Sequence, residues 1–262
     1  FDATVVEKFR AAGAVMLGTG VMIGAGIFSL TGQMAELSGS LFPIAFLSAA
    51  IVVSFSAYSY VKMSASYPSA GGIAMYLHKA YGDKLPTAFN ALLMYFSMVI
   101  AQSFLARTFG AYTLQLFDMP DNSIWVPVLG VALLIAAFLI NLSKNQIVEA
   151  VASFIGILKL AGIVLFGAVG VWLAEDIHAD FTQADSRVSW EGFLAATALG
   201  ILAFKGFTTI TNSGSELTEP HKNVGRAILI SIALCVVIYA LVGFAVASNL
   251  SIDQIIETKN YS

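Results

Sequence analysis

Charge is scarce in this chain. Only 11% of its 262 residues are Asp, Glu, Lys or Arg, against 58% hydrophobic, whereas an ordinary soluble domain carries about 25% charged residues. So few charges cannot cover a soluble globule of this size, and so apolar a composition excludes disorder. Positive charge is not in excess: 13 Lys and Arg stand against 16 Asp and Glu, for a net charge of −3. Nothing here would hold a nucleic-acid backbone. The single cysteine, Cys235, excludes a disulfide framework and a cysteine metal cage. In an apolar run such a thiol is usually a small hydrophobe. The three histidines, His78, His178 and His221, lack metal-ligand spacing, and neither a metal nor a cofactor is expected. The hydrophobic runs hold no His-Glu-x-x-His, paired-Asp or Cys–His motif of the kind a membrane enzyme would need.

Long uncharged runs dominate what remains. Residues 11–35, 37–61, 85–106, 122–143 and 227–252 contain no Asp, Glu, Lys or Arg. Each is long enough to cross a bilayer, which takes about 20 apolar residues in a helix. Two more runs qualify with interruptions: 147–174 carries Glu149 and Lys159, and 192–215 carries Lys205. The sequence therefore predicts an all-α integral membrane protein with seven spans, at 11–35, 41–63, 86–117, 123–143, 147–174, 191–216 and 224–250. The first span is too long and too glycine-rich for a cleavable signal peptide.

Orientation follows from basic residues in the connections. With the N-terminus cytoplasmic, Lys8, Arg10, Lys62, Lys79, Lys84, Lys144, Lys222 and Arg226 lie inside, and only Arg187 and Lys259 lie outside. The expectation is a multi-pass protein of the cell membrane with its N-terminus in the cytoplasm.

Two spans are unlike ordinary membrane helices. The first places Gly18, Gly20, Gly24 and Gly26 at its centre, and each glycine costs a helix about 1 kcal/mol relative to alanine. Gly20 and Gly24 could form a small-residue packing face. Alternatively the helix breaks there and exposes backbone to a cavity, the setting in which freed backbone is tolerated at membrane depth. The sixth span carries a matching interruption, Phe204-Lys205-Gly206-Phe207. Paired, glycine-interrupted segments in corresponding halves point to a secondary transporter. Periodicity alone leaves packing and transport both open.

The residues then resemble a family. Ile23-Gly24-Ala25-Gly26-Ile27-Phe28 with Leu30-Thr31-Gly32 is similar to the first-helix signature of the amino acid–polyamine–organocation (APC) transporters. Tyr67-Pro68-Ser69-Ala70-Gly71-Gly72, with Tyr76 and Gly82 beyond, resembles the loop after the family's second helix. Phe204-Lys205-Gly206-Phe207, Glu216, Glu219-Pro220 and Arg226-Ala227-Ile228 resemble its broken sixth helix and the loop that follows. The resemblance implies a LeuT-like inverted-repeat fold of ten core helices in one transmembrane domain, with residues 11–174 as the first five-helix repeat and 191–262 as the start of the second. On that reading the chain is an N-terminal portion of a longer protein.

The resemblance also implies a site. Bare amides at a half-helix N-terminus suit a carboxylate, and bare carbonyls at a half-helix C-terminus suit an ammonium. The small-molecule substrate, an amino acid or related amine, would place its carboxylate on the amides of Ala25, Gly26 and Ile27, after Gly24. Its ammonium would face the carbonyls of Ile23, Leu202, Ala203 and Lys205, with Gly206 completing the break. Phe204 and Phe207 would gate the substrate, or simply pack. Lys159 lies where many members carry a lysine. It would donate to first-span carbonyls in place of a coupling cation and would load and release a proton, unless it only snorkels or pairs structurally. The Lys205 side chain would bind an acidic substrate, pair with a carboxylate on another helix, or point away. Glu216 and Arg226 would form an inner gate, or a solvated pair. Arg107 would pack near the outer end of the third span.

The rival classes are a seven-helix membrane receptor and a channel. The Lys/Arg bias runs against the receptor, whose N-terminus is usually outside. The channel stays open, because glycine-broken helices also line pores.

Overall fold

The computed structural model describes residues 13–16, 18–69, 71–117, 124–142, 145–174, 189–212, 214, 217 and 219–258. Helices, joined by turns, make up this part of the chain, with no strand among the described residues. In order they are α1 (Gly13–Met22), α2 (Ala25–Ser38), α3 (Phe42–Ser66), α4 (Gly72–Tyr81), α5 (Leu85–Gln115), α6 (Trp125–Asn141), α7 (Asn145–Leu173), α8 (Trp190–Ala203), α9 (Phe207–Asn212), α10 (Pro220–Asn249) and α11 (Ile252–Thr258). Every expected span contains helix. The first is split into α1 and α2 and the sixth into α8 and α9. Stretches Leu30–Ser66, Leu85–Gln115, Phe154–Leu173, Trp190–Asn212 and Pro220–Asn249 are long and apolar enough to cross a membrane. Trp125–Asn141, at 17 residues, rises about 26 Å.

The chain forms two compact units, residues 1–76 with 155–259, and residues 77–154 with 260–262. In the first, α3 packs against α8 and α10, α2 against α8, and α9 against α3 and α10. The buried residues of α3 recur at helical spacing: Phe42, Ala45, Phe46, Ala49, Val53 and Ala57. Ile51, Phe55 and Tyr58 on the same helix are exposed, as expected of a helix that faces lipid on one side. Small residues let the backbones approach. A Cβ built on Gly200 would fall 2.8 Å from Ala49 Cβ, and one on Gly225 would fall 2.9 Å from Val61 Cγ1.

Helix ends follow local chemistry. Ser189 caps α8 by accepting the Gly192 amide at 2.9 Å, with Glu191 in the first turn where the helix dipole favours an acid. Two short helices lie in segments that the span assignment treats as connections. One is α4. The other, α11, opens with a capping box: the Ser251 amide donates to Gln254 Oε1 at 2.9 Å and the Gln254 amide donates to Ser251 Oγ at 3.3 Å. Ile255 anchors α11 in the core.

The second unit is built on the pairing of α5 with α6. A Cβ on Gly110 would collide with the Val126 carbonyl, and one on Gly130 would sit 2.9 Å from Ala106 O. The crossing therefore depends on two glycines. Gly110→Ala is expected to force α5 and α6 apart and to cost about 1–3 kcal/mol, the usual penalty of overpacking. Gly162→Ala, whose Cβ would meet open space, is the control. Thermal unfolding in detergent measures both, and equal midpoints would show that the close crossing contributes nothing.

Candidate functional site

The first break is the pair Ile23–Gly24 between α1 and α2, of which Gly24 is extended. The Ile23 amide donates to Thr19 O at 2.7 Å and closes α1. The Thr19 hydroxyl donates back to Val15 O at 2.7 Å, a local bond of the kind that bends helices. Gly24 then turns to φ −160°, ψ −153°, with no side chain capping the helix that follows. Helix resumes at Ala25, and the Ile27 amide reaches Gly24 O at 3.3 Å. The break is thus narrower than the segment 23–27 expected from sequence, because the Gly24 carbonyl already accepts the Ile27 amide, the third of α2. Ala25 and Gly26 occupy the first turn, where amides have no intrahelical acceptor and the dipole is positive.

The second break is a turn. The Phe204 amide donates to Ile201 O and the Lys205 amide to Leu202 O, both at 3.2 Å, before α9 begins. The two breaks meet at Gly206. A Cβ there would lie 2.6 Å from Met22 N and 2.9 Å from Val21 C, so only glycine allows this approach.

Two side chains donate to the carbonyls that the breaks release. Lys159 Nζ donates to Gly20 O, and the same ammonium lies 3.9 Å from where a Gly24 Cβ would be. Tyr239 of α10 donates its hydroxyl to Met22 O at 2.6 Å and to Ala203 O at 2.8 Å. One proton is shared between the last residues of α1 and α8. The Tyr239 ring is fully buried, edge-on to Phe204 at 4.9 Å and tilted against Phe46 at 5.7 Å. Sequence reasoning missed Tyr239. The available signal was a phenol in the middle of an apolar span, which must find a partner there.

The structure brings Ile23, Gly24, Lys159, Ala203, Phe204 and Gly206 into one region. Three of the four carbonyls expected to receive an ammonium already have donors: Lys205 N–H on Leu202 O, Tyr239 O–H on Ala203 O, and the Thr208 hydroxyl on Lys205 O at 3.1 Å. Each carbonyl has a second lone pair, so a ligand can add to this set. Ile23 and Ile27 are buried. Phe204 lies in the core, and Phe207 packs edge-on to Tyr60 at 5.3 Å. The side chains of Leu202, Lys205 and Arg226 are exposed. Glu216 lies outside the described residues. In the same loop, Glu219 adopts φ 44° and pairs with Lys222 at 3.3 Å on the surface.

Beside Lys159 is a small cleft lined by Thr19, Gly20, Ile23, Gly156, Lys159 and Leu160, with a cavity volume of about 10 Å³. That is below the roughly 300–1,000 Å³ of ordinary small-molecule pockets. No group of His, Cys, Asp and Glu suited to a metal occurs among the described residues.

Residues 10–262 match the amino acid permease family. The chain belongs to that family. It is 33% identical over 244 residues to an uncharacterized protein of Methanocaldococcus jannaschii, covering 93% of this chain and 56% of that one. It is 29% identical over 240 residues to the inner membrane transport protein YbaT of Escherichia coli, covering 90% and 55%. It is 26% identical over 243 residues to the methylthioribose transporter of Bacillus subtilis, covering 87% and 52%. The family and its functionally named relatives are membrane transporters rather than enzymes. This permease-family chain spans about half the length of the curated relatives it matches.

The shared proton at the two breaks has a measurable consequence. Tyr239→Phe keeps the ring and removes the donor. It should destabilise the solubilised permease by about 1–3 kcal/mol, the cost of buried polar groups left unpaired. An unchanged unfolding midpoint would mean that Met22 O and Ala203 O do not depend on this hydroxyl.

Proposed function

We propose that the protein is a secondary transporter, a permease that carries an amino acid or related amine across the cell membrane by alternating access, coupled to protons or working by exchange. The crossing of two broken helices at Gly206 and Met22 supports this most directly. It sets the first-turn amides of α2 near the carbonyl ends of α1 and α8, the two polarities that a zwitterion needs. Ala25 and Gly26 are assigned to the substrate carboxylate; the Ile27 amide, expected to join them, already donates to Gly24 O at 3.3 Å. The carbonyls of Ile23, Leu202, Ala203 and Lys205 are assigned to its ammonium. The family's description favours an amino acid, while the name of the Bacillus relative points to a different small molecule, so the choice rests also on this pairing of charges. The Lys and Arg bias supports a cytoplasmic N-terminus.

The carboxylate assignment makes Gly26 decisive. Gly26→Leu should abolish amino acid binding while membrane insertion stays normal, because leucine fills the approach to the amides yet remains favourable in lipid. Isothermal titration of purified, folded variant checks this, and retained binding would place the carboxylate elsewhere.

Lys159 is assigned two duties, to hold the Gly20 carbonyl and to carry the coupling proton. Lys159→Ala should lose transport and its response to a proton gradient. Lys159→Arg should lose gradient-driven accumulation and keep exchange, since a guanidinium stays protonated. Uptake into proteoliposomes with and without an inward proton gradient measures both variants. Wild-type uptake indifferent to the gradient would remove the proton role, and a fully active Lys159→Ala would remove both.

A further inference from the structure

The half-helix α9 is too short to hold itself. Isolated helices below about 12 residues are marginal, and α9 has six. Its position, and with it the turn at Phe204–Gly206, must come from what it packs against. At its start, Phe207 meets the Tyr60 ring edge-on at 5.3 Å. Tyr60 in turn meets the Tyr76 ring at 6.5 Å. At its end, Thr211 and Asn212 press on Gly72, whose φ of 49° suits glycine and whose Cβ position lies 3.0 Å from Thr211 Oγ1. Gly72 and Tyr76 are four residues apart on the first turn of α4, so that turn meets α9 at its end and, through Tyr60, at its start.

A relay of hydroxyls fixes this turn. Ser64 Oγ donates to Tyr60 O at 2.6 Å, which uses its only proton. The 2.9 Å contact between Ser64 Oγ and Tyr76 Oη therefore has Tyr76 as donor. Burial raises the Tyr76 phenol above its ordinary pKa, while the Ser64 hydrogen bond acts to lower it. The group stays protonated. Ser64 and Tyr76 are both buried, so the bond is shielded from competing water.

We propose that Tyr76 is a positioning residue: through its hydrogen bond to Ser64 and its ring contact with Tyr60, it fixes the start of α4 against α9 and so sets the turn Phe204–Gly206 of the substrate site. The consequence for transport rests on the function proposed above; the structural coupling does not.

Hydrogen–deuterium exchange of residues 207–212 in the whole, detergent-solubilised protein tests the coupling without any substrate. Tyr76→Phe keeps the ring and should raise exchange there about 3- to 10-fold, the scale of one buried hydrogen bond, with residues 227–245 of α10 unchanged. Ser64→Ala should do the same, and the double variant should add nothing to either. Ser64→Thr, which keeps the hydroxyl, should stay near wild type. Unchanged exchange in Tyr76→Phe, an equal rise in α10, or additive single effects would each overturn the proposal. Amino acid uptake by the same variants is the second arm: a several-fold rise in KM is expected for Tyr76→Phe. Wild-type protein that carries no amino acid would refute the transport reading alone, and the exchange arm would still decide the role of Tyr76.

Discussion

Hydrocarbon offers no water to hydrogen-bond a loose peptide group, and each unpaired group costs several kcal/mol there. A helix broken inside the membrane must therefore hand its released groups to something else. Here Lys159 takes Gly20 O, and Tyr239 takes Met22 O together with Ala203 O. The Gly24 carbonyl takes the Ile27 amide. Gly206 lets the two segments touch backbone to backbone. The surrounding helices serve the same end. Small residues such as Ala49, Gly200 and Gly225 draw α3, α8 and α10 together and enclose the crossing in protein.

These donors are of the kind that a substrate also brings. On the proposed function, a substrate ammonium, with three N–H donors and no acceptor, would compete with, or add to, the Tyr239 hydroxyl at the same carbonyls. On the proposed function, a site of main-chain groups held by one phenol and one ammonium is rigid enough to stay assembled. Each hold is a single hydrogen bond, worth about 0.5–1.5 kcal/mol net when neutral and about 1.5–3 when charged. Rearrangement during a transport cycle is then within reach of ordinary binding energy. The turn at Phe204–Gly206 inherits its position from neighbours, since neither Ala203 at the end of α8 nor the six residues of α9 fix it alone.

Much of the architecture was legible in the chain itself. Charge-free runs marked the spans, because lipid leaves little room for Asp, Glu, Lys or Arg. Gly24 and Gly206 marked the two breaks, because glycine at membrane depth needs a reason. Lys159 stood out as a charge far from either end of its span. The capping box at Ser251 and Gln254, beyond the last expected span, was not anticipated.

What the sequence alone determined was therefore local: which segments are apolar, where a helix weakens, and which side chains are too polar for lipid. Tertiary structure decided which groups meet. Tyr239 reaches Met22 across 217 residues and Ala203 across 36, and Lys159 reaches Gly20 across 139. No period or spacing encodes such distances. The first break is also shorter than its motif, because the extent of a break depends on which carbonyl captures the next free amide. Helical periodicity reports the environment of a face, whereas a hydrogen bond between helices depends on crossing point, rotation and depth, and those are settled only when the whole bundle packs.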